Sequence, residues 1–285
     1  MERHAFLIMA HGSPELLELL TRLLDHPGND IFLHADAKWA DFDPERFRTT
    51  RAGYSVIGRK KVAWGGFSQI DTELRLLRAA KEQGDYAYYH LISGQDLPIV
   101  PMEELHRFFR EHQGREFVQF GASAPQRRRA SLYRPLQERV GNPAVSILDK
   151  ALTLLQIALR VDRLKGKDIP LGYGSQWFSI TDGFAGHVLE REAWVRKTFR
   201  MTACCDEIFL QTLLLASPFR DHLATDKKGG TEGNRRFIVW ERGKTPHPRV
   251  LTGADYDRIV GSGCLFARKF HWEESRELIV RLTGT

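Results

Sequence analysis

Apolar positions along the chain change their period several times. Ala5–Ala10 is a continuous apolar run, the pattern of a strand buried on both faces. Gly12, Ser13 and Pro14 end it, and Leu17, Leu20, Leu23 and Leu24 then follow helical spacing up to Pro27, Gly28 and Asn29. Ile31–Ala35 is a second apolar run, closed by Asp36. Strand, helix and strand in this order predict a βαβ unit and a parallel sheet. The alternation continues with a short strand at Lys61–Trp64 broken by Gly65 and Gly66, then a helix carrying Leu74 and Leu77. A strand at Tyr86–Ile92, a helix at Met102–His112 and a strand at Glu116–Phe120 follow.

The stretch 121–170 breaks this rhythm. It carries Arg127, Arg128, Arg129, Arg134 and Arg139, with Tyr133 among them, and a helical pattern from Val145 to Leu164. Gly172 and Gly174 then lead into a strand at Trp177–Thr181, followed by helices at Gly183–Arg191 and Asp206–Leu215. A late strand at Phe237–Trp240 precedes a tail with a helix after Thr252, a short segment at Leu265–Ala267 and a terminal helix. There is no internal repeat, low-complexity segment or linker. The reading is a single α/β domain over residues 1–285, with a mostly parallel central sheet flanked by helices and a basic helical excursion.

Composition changes this picture little. The balance of 42 basic and 36 acidic residues gives +6, which suits a polyanionic ligand or a membrane surface without demanding nucleic acid. Three cysteines (Cys204, Cys205 and Cys264) make no disulfide framework and no C-x-x-C zinc motif, and they point to a reducing compartment. No apolar run reaches the length of a membrane span, and the one at the N-terminus is too short for a signal peptide. The expected place is the cytoplasm, with a peripheral contact at the inner face of the membrane. Asp41-Phe42-Asp43 spells a metal-binding Asp-x-Asp, but it sits in a polar stretch and reads as a loop.

In open α/β sheets, ligands bind beyond the carboxyl ends of the strands. The residues to inspect are therefore His11, Asp36, Trp64, Ser93 to Asp96, Trp177 and the segment around Glu207. Each has a plain alternative. Asp36 can accept from a base N–H or ribose hydroxyls, or simply form a turn. Asp96 can bind sugar hydroxyls or make an Asx-type turn before Pro98. Trp177 can stack on a sugar or fill the core. Asp206 and Glu207 also suit the first turn of a helix.

Six strings of the sequence resemble one family. They are AFLIMAH at 5–11, IFLHAD at 31–36, YYHLISGQDLPI at 88–99, GSQWFSI at 174–180, DEIFLQT at 206–212 and LFARKF at 265–270. In this order they resemble the core-2/I-branching β-1,6-N-acetylglucosaminyltransferases, which include the peptide O-xylosyltransferases. The resemblance implies a GT-A-like fold without a metal-binding Asp-x-Asp. It implies inverting, metal-independent transfer from a UDP-sugar, the co-substrate, to a hydroxyl of a glycan or other acceptor, with no further cofactor. UDP-N-acetylglucosamine is the first donor reading and UDP-xylose the second. The missing disulfides and membrane anchor suggest a bacterial-type member.

The resemblance assigns roles. Glu207 is the general base, and Lys269 with Arg236 or Arg235 clamps the departing diphosphate in place of a metal. Asp36 lies in the uridine pocket, with His11 and Trp64 beside the donor. Asp96, Trp177 and Arg128 face the acceptor. Two other classes compete. One is a nucleotide-sugar hydrolase or epimerase on a related fold; an epimerase would need a dinucleotide, and no G-x-G-x-x-G follows the first strand. A non-catalytic nucleic-acid-binding module would need basic residues interleaved with aromatics on one face, which only Arg127–Arg139 approaches.

Overall fold

The computed structural model describes residues 2–121, 124–139, 141–224, 233–241 and 247–284, with backbone alone for 124–127. The chain opens as expected, with β1 (His4–Ala10), α1 (Pro14–Leu23) and β2 (Asn29–Ala35). Then come β3 (Gly53–Val56), α2 (Phe67–Gln83), β4 (Tyr88–Ser93), β5 (Leu97–Pro98), α3 (Met102–Glu111) and β6 (Phe117–Val118). The excursion holds α4 (Ala124–Ser131) and α5 (Pro143–Ala158). Beyond it lie β7 (Phe178–Thr181), α6 (Asp182–Glu190), α7 (Glu192–Phe199) and α8 (Phe209–Leu215). The last elements are β8 (Arg236–Ile238), α9 (Tyr256–Val260), β9 (Phe266–Arg268) and α10 (Arg276–Thr283).

Among the described residues, the main sheet has six strands in the order β3-β2-β1-β4-β7-β6. The first three pairings are parallel, and β7 runs antiparallel to both β4 and β6. A small second sheet, β5-β9-β8, stands beside it. The apolar run in β1 now has its physical cause. Phe6, Ile8 and Ala10 face one core with Leu17 and Leu20 of α1 and Phe109 of α3, while Ala5 and Leu7 face another with Leu74 and Leu77 of α2 and Phe184 of α6. Both sides are buried, so no polar position interrupts the strand.

Three expectations need correction. Lys61–Trp64 is not a strand; the third parallel strand is Gly53–Val56. Side chains take the place of a strand partner there: Lys60 N–H donates to His34 Nε2 (3.0 Å), Val62 N–H to Asp36 Oδ2 (3.3 Å) and Ala63 N–H to Ser68 Oγ (2.8 Å). The helix expected at Val145–Leu164 stops at Ala158, and Arg160 just beyond it adopts left-handed φ. The helix expected from Asp206 begins as a 3₁₀ turn over Cys205–Glu207, after Cys204 in left-handed conformation, and α8 proper starts at Phe209. Asp43 caps the 3₁₀ turn Pro44–Phe47, consistent with a loop there.

The two glycines before β7 are set by close backbone approach. A Cβ on Gly174 would lie 1.8 Å from the Gln119 carbonyl oxygen, and its own N–H donates to the Glu207 carbonyl (2.9 Å). Backbone, not a flexible side chain, blocks the space. We predict that Gly174→Ala lowers stability by about 2 kcal/mol or more, the range of overpacking in a tight site. Urea unfolding measures it; a loss near zero would mean the strand entry relaxes freely.

Candidate active site

The carboxyl ends of β1, β2 and β4 open into a cleft of about 560 Å³. β1 delivers Ala10 and His11 to its wall, β2 delivers Asp36, and β4 ends in Ser93 and is followed by Gln95. Asp36 is buried, and its oxygens hold the adjoining turn: Oδ1 accepts from Lys38 N–H (2.8 Å) and Oδ2 pairs with Lys38 Nζ (3.2 Å). The turn reading of Asp36 is thus realised, while the residue still forms part of the wall. Burial pulls the His11 pKa down, the Lys269 ammonium adds to this, and Asp36 opposes it. The imidazole is therefore held neutral near pH 7.

A basic wall faces these residues. Lys269 follows β9 and lines the cleft, its carbonyl accepting from Leu251 N–H (2.8 Å) while its ammonium makes no hydrogen bond or ion pair among the described residues. Arg268 lies beside it, nine-tenths buried, with its guanidinium carbon 4.2 Å above the Trp177 ring. Its Nε sits 3.5 Å from Asp96 Oδ1, too poorly aligned for a hydrogen bond, and its Nε and Nη1 are unsatisfied. Two cations with unmet donors in a low-dielectric wall form a ready site for an anion. One face of Trp177 is occupied by Arg268, and the ring also packs against the core while lining the cleft. Trp64 is exposed at the mouth, with its ring 5.6 Å from that of His247, and Trp240 lines the same rim.

The acidic end is built on the 3₁₀ turn. Glu207 is one-third exposed, and its Oε2 accepts from Arg129 Nη1 of α4 at 2.7 Å. It belongs to the first turn of that 3₁₀ segment, so the first-turn placement and the cleft placement coexist. Beneath it Asp206 is buried, and desolvation first, then the Glu207 charge, pushes its pKa up to about 7. Gln69 Nε2 donates to Asp206 Oδ2 and to Gln176 Oε1, both at 3.2 Å. Gln176 Nε2 donates to Glu73 Oε1 (2.8 Å). Glu73 is fully buried, and desolvation raises its pKa well above the carboxylate range, with the Asp206 charge adding to this.

The structure brings Glu207, His11, Asp36, Trp64, Trp177 and Lys269 to one cleft. It does not bring three others. Arg236 lies behind the wall, buried, with its Nη2 donating to the carbonyls of Leu91 (3.3 Å) and Phe178 (2.5 Å). The alternative, Arg235, turns its guanidinium to 5.2 Å from the Phe108 ring, on α3. Neither lines the cleft, although Ile238 of β8 does, because the Arg236 guanidinium is bound to main-sheet carbonyls and that of Arg235 lies over Phe108. Asp96 is also buried, with Oδ1 accepting from Ser93 Oγ at 2.7 Å, so it braces the loop. Arg128 is exposed and forms no part of the lining, whereas its neighbour Arg129 turns inward to Glu207; the Arg127 side chain lies outside the described residues.

Several site residues escaped the sequence reading: Arg268, Arg129, Tyr173, Gln69 and Gln176. One signal was present. Gln69 and Glu73 stand at i and i+4 inside an otherwise core-packed helix, where polar side chains on one face need buried partners. Among the described residues, no cluster of three or more His, Cys, Asp or Glu could hold a metal ion.

Known proteins place the chain. Solved structures share little with it. TarS from S. aureus is 11% identical over 39% of this chain and 20% of its own, with a TM-score of 0.27. Mouse xyloside xylosyltransferase 1, in its apo form, is 10% identical over 77% of this chain and 83% of its own, with a TM-score of 0.37. The chain thus spans 20% of the length of TarS, and neither likeness bears on function. A search of curated sequences finds no match. A family model does match, that of the core-2/I-branching enzyme, over residues 4–259, nearly the whole length from β1 to α9. The chain belongs to the core-2/I-branching enzyme family and is a glycosyltransferase.

Proposed function

We propose that the cleft carries out inverting transfer from a UDP-sugar to an acceptor hydroxyl without a metal ion. The observation that carries this reading is the pairing of an ion-paired but accessible carboxylate, Glu207, with an unpartnered cation, Lys269, in one cleft at the strand ends. The nucleotide would lie along His11 and Asp36, where switch-point crevices take such ligands. The diphosphate would meet Lys269 and Arg268, a revised pair in which Arg268 takes the place first given to Arg236.

The chemistry needs only these parts. The acceptor oxygen attacks the anomeric carbon, Glu207 takes its proton, and the bond from that carbon to the diphosphate oxygen breaks with both electrons leaving on UDP. No carboxylate nucleophile is required, as in one-step inverting displacement at a glycosidic centre. Charge grows on the leaving group, so fixed cations in a dry wall lower the barrier. Arg129 holds one oxygen of Glu207 and thereby orients the other toward the cleft. Support for the donor sugar comes from the family alone, with UDP-N-acetylglucosamine first and UDP-xylose second.

Glu207→Gln is expected to cut turnover by about 10² to 10⁴, the usual worth of a general base, with UDP affinity nearly unchanged. Single-turnover transfer and UDP titration read the two separately; lost UDP affinity with normal turnover would remove Glu207 from the base role. Lys269→Ala should weaken UDP by about 1.5–3 kcal/mol, the value of a charged hydrogen bond, and leave uridine binding almost intact. Equal loss for both ligands would take Lys269 off the diphosphate. UDP at 100 times its dissociation constant should stabilise the fold by about 2.7 kcal/mol with or without EDTA. A thermal shift that vanishes in EDTA and returns with Mn²⁺ would overturn the metal-free reading. Running it with UDP-N-acetylglucosamine and UDP-xylose identifies the donor.

A further inference from the structure

Helix α5 is assembled the wrong way out for a water-soluble surface. No residue of this 16-residue helix is buried. Its half-buried positions are Val145, Asp149, Leu152, Thr153 and Gln156, a stripe that is mostly polar. That stripe ties the helix down: Arg134 Nε donates to Asp149 Oδ1 (3.2 Å), Gln156 Oε1 accepts from Tyr133 N–H (2.8 Å), and Gln156 Nε2 donates to the Tyr133 carbonyl (2.9 Å). The outward stripe is Ile147, Leu148, Ala151, Leu154, Leu155 and Ala158, at the spacing of one helical face. Its four large members are each more than half exposed, Ile147 at 70%. Surface helices normally show the reverse, and a contiguous exposed apolar face of this kind marks an interaction site.

Charge names the partner. Residues 127–167 hold ten basic and three acidic residues, a net +7 against +6 for the whole chain. Lys150, Arg160, Lys165 and Lys167 are exposed on and just after α5. Beside the helix, Lys197, Arg200, Tyr133 and Met201 border a basic hollow. A second copy of the chain would bring the same positive field against this one, which opposes self-association. The segments 225–232 and 242–246 contain no large apolar side chain to match the stripe. An apolar stripe framed by lysine and arginine fits an anionic bilayer surface, where the helix lies in the interface and basic side chains reach the headgroups. Among the described residues, no helix is long and apolar enough to cross a membrane.

We infer that α5 docks the enzyme on anionic lipid, its outward face set into the headgroup region along about 24 Å of helix. This stands apart from the donor chemistry proposed above. The test is co-sedimentation of the full chain with vesicles of equimolar phosphatidylglycerol and phosphatidylcholine, and with phosphatidylcholine alone. Binding is expected on the anionic vesicles only, weakened by salt, and reduced more than about tenfold by Ile147→Glu with Leu154→Glu. The thermal shift with UDP should survive in that variant, which separates a docking loss from a folding or active-site loss. If that variant melts early, Lys150→Glu with Arg160→Glu tests the electrostatic half on an intact apolar face. No binding to anionic vesicles, or binding indifferent to both variants, overturns the inference. So does light scattering that shows a dimer turned monomeric by Leu154→Glu, which would assign the face to a second copy.

Discussion

Parallel pairing of β1 between β2 and β4 is the constraint on which the site depends. Its register runs unbroken from His4 opposite Asn29 to Ala10 opposite Ala35, with Met9 opposite Ser93. Parallel strands must return by crossovers, so both faces are covered and all three carboxyl ends fall on one edge. That edge is where backbone groups lose their ladder partners and side chains such as Asp36 and Ser93 take over. A cleft forms there because the crossovers leave it open, and the residues just past each strand are compelled to line it. Glu207, Trp177 and Lys269 arrive from distant parts of the sequence, yet each is fixed by an element packed on this frame.

The second constraint is how the site manages charge in a dry environment. Asp206 and Glu73 are buried, and desolvation raises both, Asp206 to about 7 against the opposing pull of Arg129 and Glu73 well above the usual carboxylate range. Glu207, one residue from Asp206, is instead one-third exposed and ion-paired to Arg129. Two adjacent carboxyls are thereby given different surroundings, one desolvated and one at the cleft beside a guanidinium, and such differences are how one fold separates acid and base duties. The Gln69–Gln176 amide pair spaces the buried acids and spends its donors on them. On the opposite wall the imbalance reverses, since Arg268 keeps donors unmet and the Lys269 ammonium has no partner among the described residues. An unmet donor in such a place is costly unless a ligand completes it.

Much of this was legible in the sequence, and the failures have specific causes. β1, β2 and β4 were readable because burial on both faces leaves unbroken apolar runs, and the switch-point rule then pointed to His11, Asp36 and Trp177. The edge strand Gly53–Val56 was missed because its residues are only half-buried and carry no periodic apolar signal. Lys61–Trp64 misled because Val62, Ala63 and Trp64 form a short apolar run, two of whose members serve the cleft wall. Arg236 misled for another reason. A basic residue at a strand start looks like a ligand-binding group, and whether its guanidinium points to the cleft or to the carbonyls of Leu91 and Phe178 is decided by how the small sheet packs. Arg129 was noted only as one of several arginines of the excursion, because its partner Glu207 lies far along the chain.

The excursion shows most plainly that pattern and placement are separate facts. An apolar helical stripe from Val145 onward would ordinarily be read as a face turned to the core. Here the polar stripe is the one with partners, through Arg134–Asp149 and Gln156–Tyr133, and the apolar stripe faces out. Hydrophobic burial therefore contributes little to holding α5 in place; tertiary polar contacts and its Asn142 N-cap do so. The same segment reaches the active cleft before α5 begins, through Arg129 on Glu207, Gln137 on the Trp64 carbonyl (3.4 Å) and Glu138 on Ser68 N–H (2.8 Å). Four large aliphatic side chains left in water are a standing cost that the fold alone gives no reason to keep. A partner that buries them returns that cost, and a surface that also answers a net +7 is the partner whose chemistry matches both halves of the segment.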